Sequence, residues 1–135
     1  MAKPSKADAQ LLLQLEQLLL MDPNQRALHW FWRIFYPQRI QSIDQIRKLY
    51  PNNSEGSTYL DRISAFWESA GTLVNNRLLN EKLLFDRFLV KPYWDALKFV
   101  ILADREATNE PRIGENFELL AKKEETWQRR TASKK

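Results

Sequence analysis

Tyr59, Leu60, Ile63, Phe66, Trp67, Ala70, Leu73 and Val74 recur at intervals of three and four over one uninterrupted segment. That spacing places them on one stripe of an α-helix and is incompatible with the alternation of a half-buried strand. A helix this long with one wide apolar stripe must bury it against other helices. The rest of the chain is written the same way. Its 135 residues contain only three Gly and six Pro. A β-rich fold needs more turn residues than that. The spacing predicts an all-α fold, a compact antiparallel helical bundle of six or seven helices.

Pro, Gly and short polar side chains divide the sequence into elements. Ser5 with Asp8 forms a capping box that opens a helix over about Lys6–Met21. Asp22-Pro23 restarts the chain, and a second helix is expected over about Asn24–Phe35. Pro37 ends that helix and is expected to open a third, about Gln38–Leu49. The run from Pro51 to Ser57 reads as a loop, followed by the striped helix, about Thr58–Asn75. Asn80 caps a short fifth helix, about Glu81–Leu89, and Pro92 opens a sixth that reaches about Ala107. A last helix is expected over about Glu115–Arg130. The sixth is expected to be central, because Trp94, Leu97, Val100 and Ile101 form its stripe while Phe99, Leu102 and Ala103 cover much of the remainder. The expected core is Ile63, Phe66, Trp67, Leu97, Val100, Ile101, Phe117 and Leu120. Residues 1–130 read as one helical domain and 131–135 as a basic C-terminal tail.

Phe66-Trp67-Glu68, Gly71, Leu73-Val74, Leu79, Leu84, Asp86, Trp94, Ile101, Arg105, Phe117-Glu118 and Trp127 follow one another in an order that resembles a bacterial family, domain of unknown function 4760. The resemblance spans Tyr59–Trp127 and implies a small helical fold and a bacterial origin. Some members of that family carry an N-terminal membrane helix, and this sequence departs from them. Its most apolar run, Leu11–Met21, is interrupted by Gln14, Glu16 and Gln17 and is too short to span a bilayer. No secretory signal is recognised, so a cytoplasmic location is expected. The resemblance implies no activity.

Composition excludes most chemistry. The chain has no Cys and a single His. That removes disulfides, thiol nucleophiles and Cys-ligated zinc. His29 has Gln25, Arg26, Trp32 and Arg33 at helical spacing, none of them a metal ligand, and its aromatic setting suits packing. Gly56, Gly71 and Gly114 are too scattered for a phosphate-cradling loop. Among the acids, Asp104 falls in line with the stripe of the sixth helix. It is expected either buried beside an Arg such as Arg62, Arg77 or Arg112, or at the helix end in water. Glu68 falls opposite the Trp67 stripe, so solvent is its expected setting, and Glu118 suits the positive end of the last helix. With no nucleophile, base and oxyanion site in one cluster, the chain is expected not to be an enzyme and to need no cofactor or metal.

Binding is the alternative. Leu13 and Leu20 lie off the main stripe of the first helix, and Trp30 and Ile34 project from the side of the second opposite Leu28, Phe31, Trp32 and Phe35. Together with Arg33 they form a candidate partner surface, for a protein partner or a second copy of the chain; otherwise the first helix covers Trp30 and Ile34. The net charge of +4 has one origin. Residues 1–121 carry fifteen cationic and fifteen anionic side chains, whereas residues 122–135 carry six and two. Arg129, Arg130, Lys134 and Lys135 are therefore a candidate anion-binding tail for nucleic acid or another anionic surface. The main reading is a small interaction or scaffold module that forms oligomers.

Overall fold

A computed structural model of the chain describes residues 3–133, and among these there are seven α-helices and no strand. The first is α1, Lys6–Leu20. Its capping box closes in both directions: Ser5 Oγ accepts from Asp8 N at 3.1 Å and Asp8 Oδ2 accepts from Ser5 N at 2.7 Å. Next is α2, Asp22–Trp30, with Pro23 in its first turn. It passes directly into a π-helical turn, Phe31–Phe35, and a 3₁₀ turn, Tyr36–Gln38.

The expected third helix is shorter at its start. Arg39 takes a left-handed conformation with φ 52°, and α3 runs only over Ile43–Leu49. Pro37 lacks the N–H that would continue the ladder. The hydroxyl of Ser42 then supplies the cap that α3 needs, accepting from Gln45 N at 3.4 Å. Helix α4 covers Glu55–Asn75, beginning one turn before Thr58 because Ser54 Oγ accepts from Ser57 N at 3.2 Å. The short α5, Glu81–Arg87, is capped by Asn80. Two long helices follow, α6 over Lys91–Thr108 and α7 over Glu115–Ser133, which continues beyond the expected end at Arg130.

The eight residues expected in the core are all buried. The central helix is α4 rather than α6. It packs against both α2 and α7, and Leu60, Ile63, Phe66, Trp67, Ala70 and Val74 are buried along it. The side of α6 that carries Leu102 faces water, at 47% exposure. A nearly all-round apolar pattern thus overstated how fully α6 is surrounded. What lets α4 take the centre is Gly71, where a Cβ would collide with the backbone carbonyl of Asn116. The α4 and α7 backbones meet closely at this point.

Three carboxylates tie helix starts to distant helices. Glu68 on α4 accepts from the backbone N–H groups of Asn116 and Phe117, both at 3.0 Å, and from Asn116 Nδ2 at 2.8 Å. It therefore satisfies the orphan amides at the start of α7, which corrects its expected place in solvent. Glu124 on α7 does the same for α6, accepting from Val90 N and Lys91 N at 2.8 Å each. Lys123 precedes it and Glu125 follows it, yet Glu124 is fully buried. Burial pushes its carboxyl above the ordinary value, and the two amides oppose that shift. Asp8 closes its own box and also accepts from Asn80 N at 2.9 Å, joining α1 to the start of α5. The hydrogen bonds from Ser5 hold its carboxyl below the usual range.

Candidate functional site: the π turn and its pocket

The segment Trp30–Arg39 is the least regular part of the helical framework. Tyr36 N bonds Phe31 O, five residues back, so the helix widens before Pro37 interrupts it. The carbonyl of Ile34 is met instead by Gln38 Nε2 at 2.9 Å, and the same amide donates to Tyr50 Oη at 2.7 Å. Ala27, Phe31 and Phe35 are buried at intervals of four, an alignment that a wider turn favours over the ordinary α period.

This change of period redistributes the aromatic side chains. Trp30 lies against Phe35, Tyr50 and Tyr59, with ring centroids 5.4, 5.1 and 5.4 Å away. It is half-buried, and residues at the end of α3 and the start of α4 cover it rather than the first helix. Trp30 therefore contributes mainly to packing. Trp32, expected on the core face, is 39% exposed. Its indole N–H donates to Tyr93 Oη at 2.8 Å, and its ring leans on Tyr36 at 4.9 Å. Ile34 and Arg33 are exposed, as are Leu13 and Leu20 on α1, at 58% and 66% for the two leucines. Met21, at the end of α1, is exposed too. Of the candidate surface, Leu13, Leu20, Arg33 and Ile34 are thus exposed, while Trp30 is packed. Trp32 was missed because a 3.6-residue wheel assigns it to the wrong side of the turn.

Beyond the turn, a pocket of about 510 Å³ opens between the Phe35–Gln41 segment and α6. Its apolar lining includes Phe35, Ile40 and Phe99, and two cations, Arg39 and Lys98, reach it. The Arg39 guanidinium lies 4.4 Å from the centre of the Tyr36 ring, and its Nη1 donates to Tyr36 Oη at 3.1 Å. The Lys98 ammonium stands 5.5 Å from the centre of the Phe99 ring. Asp95, the acid in the lining, pairs with Lys91 at 3.7 Å. Neither Arg39 nor Lys98 has a carboxylate within ion-pair distance among the described residues. The pocket therefore sets two cations beside a few apolar side chains in a mixed lining, a combination that suits amphipathic anions. Its size falls in the range of small-molecule sites.

Several acids elsewhere are held in ion pairs. Asp104 is half-exposed and meets Arg47 on α3 at 3.2 Å. Its partner is none of Arg62, Arg77 and Arg112, because the break before α3 brings Arg47 to α6. Asp61 shares this neighbourhood; burial and the Asp104 charge raise its carboxyl while Arg47 lowers it. Glu118 pairs with Arg105 at 3.1 Å. His29 is exposed on α2 rather than packed. No group of three or more acids and histidines among the described residues comes together in a way that could hold a metal ion.

At the basic end, Lys122, Lys123, Trp127 and Arg130 line a second hollow of about 290 Å³. Trp127 packs on Phe85, 5.7 Å between ring centres, and Arg129 pairs with Glu125 at 3.1 Å. Lys134 and Lys135 lie outside the described residues. None of the helices among the described residues is long and apolar enough to cross a membrane.

A family model, Domain of unknown function (DUF4760), matches residues 5–127. The chain belongs to this family. The match takes in α1, α2, the π turn and the pocket, well beyond the Tyr59–Trp127 segment that carried the resemblance, and stops before Arg129. No curated protein and no solved structure matches the chain.

Proposed function

We propose that this DUF4760 chain is a non-enzymatic interaction module of the bacterial cytoplasm, engaging a second copy of itself through α1. The supporting observation is the pair Leu13 and Leu20. They are seven residues apart, so they lie on one outer stripe of α1, and both are more than half exposed. A heptad-spaced leucine pair on an exposed helix face suits helix-to-helix association. Light scattering over a concentration series tests it. The wild type is expected to shift toward dimer mass as concentration rises, and L13S/L20S to stay monomeric. A wild type that remains monomeric at millimolar concentration overturns the reading.

A second reading rests on the hollow at the end of α7, which Lys122, Lys123, Trp127 and Arg130 line together with Glu81, Lys122 also pairing with Glu118 at 3.9 Å. Such a site suits weak, sequence-independent contact with nucleic acid or another anionic surface. Filter binding with single-stranded and duplex DNA, repeated at rising salt, tests it against K122Q/K123Q. Retention that does not depend on salt, or that the variant leaves unchanged, removes this reading.

A further inference from the structure

We infer that the pocket behind the π turn binds a small organic anion, with its charged head between Arg39 and Lys98 and its apolar body on Ile40 and Phe99. Three observations converge on it. The open pocket, about 510 Å³, is large enough for a ligand of this class. The two cations that reach it have no carboxylate partners among the described residues, while the acid beside them is held by Lys91. Each cation is also positioned by an aromatic ring, Tyr36 under Arg39 and Phe99 under Lys98. The hydrogen bond to Tyr36 Oη uses one of the five guanidinium N–H groups and leaves the others for a ligand. The break that opens the pocket is built into the sequence, through the π turn, Pro37 and the left-handed Arg39.

A head without a body forfeits the apolar contacts, and a body without a head leaves the cations unmatched. The site therefore selects molecules that carry both, either a carboxylate or a phosphate monoester on a short apolar group. This reading is independent of self-association through α1, since neither leucine lines the pocket.

The test is a titration of the full, isotopically labelled chain followed by amide chemical shifts. The probes are octanoate and phenyl phosphate as amphipathic anions, acetate and inorganic phosphate as heads alone, and octanol as a body alone. Saturable shifts are expected at Arg39–Gln41 and Asp95–Phe99, with at least one amphipathic anion bound about tenfold or more tightly than either fragment. The stronger of the two shows which head the site prefers. R39G/K98Q is expected to weaken that binding about tenfold or more while melting no lower than the wild type, because Gly suits the left-handed position. If the double variant does not fold, K98Q alone and the wild type at rising KCl replace it: salt should weaken the anion and leave octanol unchanged. The inference is overturned if the shifts map to the hollow at Lys122–Arg130, if acetate or octanol binds as tightly as the amphipathic anions, or if removing the cations or adding salt changes nothing.

Discussion

The seam between α4 and α7 and the exposed residues of α1 and the π turn are built on opposite terms. At the seam the groups that join the two helices have fixed partners, although Asn75 Oδ1 is buried with no hydrogen-bond partner among the described residues. Gly71 admits the α7 backbone, Glu68 holds the amides of Asn116 and Phe117, and Asn75 Nδ2 donates to Asn116 Oδ1 at 2.9 Å. Leu13, Leu20 and Ile34 face water, and Arg39 and Lys98 have no carboxylate within ion-pair distance among the described residues. The contrast separates residues that maintain the fold from those left available for recognition. It also shows why acidic residues are poor guides to chemistry in this chain. Those with the most specific surroundings, Glu68 and Glu124, hold helix starts.

Substitutions can break this comparison. The largest expected effect is at Phe117, which is fully buried beneath Trp94 with ring centroids 5.2 Å apart. F117A should cost about 3–5 kcal/mol in chemical denaturation. G71A is expected to cost about 1–3 kcal/mol, since its methyl group must push the Asn116 backbone away. Equal stability for G71A and the wild type would mean that the seam is looser than described.

E124Q sharpens the same contrast through pH. Its amide can accept from only one of Val90 N and Lys91 N with good geometry, leaving a donor facing a donor. A penalty of about 1–3 kcal/mol is expected at mildly acidic pH. The Glu124 carboxyl is raised above 4.5 in the folded protein, so the folded state binds the proton more tightly than the unfolded chain. The stability this adds is complete below 4.5 and is lost as pH rises through the raised value. The difference between wild type and E124Q should accordingly shrink with rising pH over that window. A difference that grows would place the folded-state shift in the opposite direction.

The smallest effect on stability belongs to the open face. L13S/L20S should unfold within about 0.5 kcal/mol of the wild type under conditions where both are monomers. A large loss would move the two leucines from the recognition side of the comparison to the core.

Much of the framework was legible along the chain. The capping box at Ser5, the cap at Asn80 and the stripe of α4 depend on residues within one or two helical turns of each other. Local spacing reports such features directly. The errors arose where one period gave way to another or a partner came from afar. Trp32 was assigned to the core face because a helical wheel carries the α period through the π turn. Ser42 was overlooked as a cap because Pro37 offered an earlier helix start.

By itself, then, the sequence determined an all-α chain, its principal helices and the residues of its core, because periodicity and capping are short-range properties. Only the tertiary structure decided that α4 rather than α6 is central, that Arg47 meets Asp104, and that Glu68 and Glu124 serve distant helices. Glu124 lies 34 residues from Val90, and Glu68 lies 49 from Phe117. A carboxylate's pattern on its own helix does not encode which remote amide it will meet. The pocket beside Arg39 and Lys98 has the same origin, since its walls come from segments that only folding brings together.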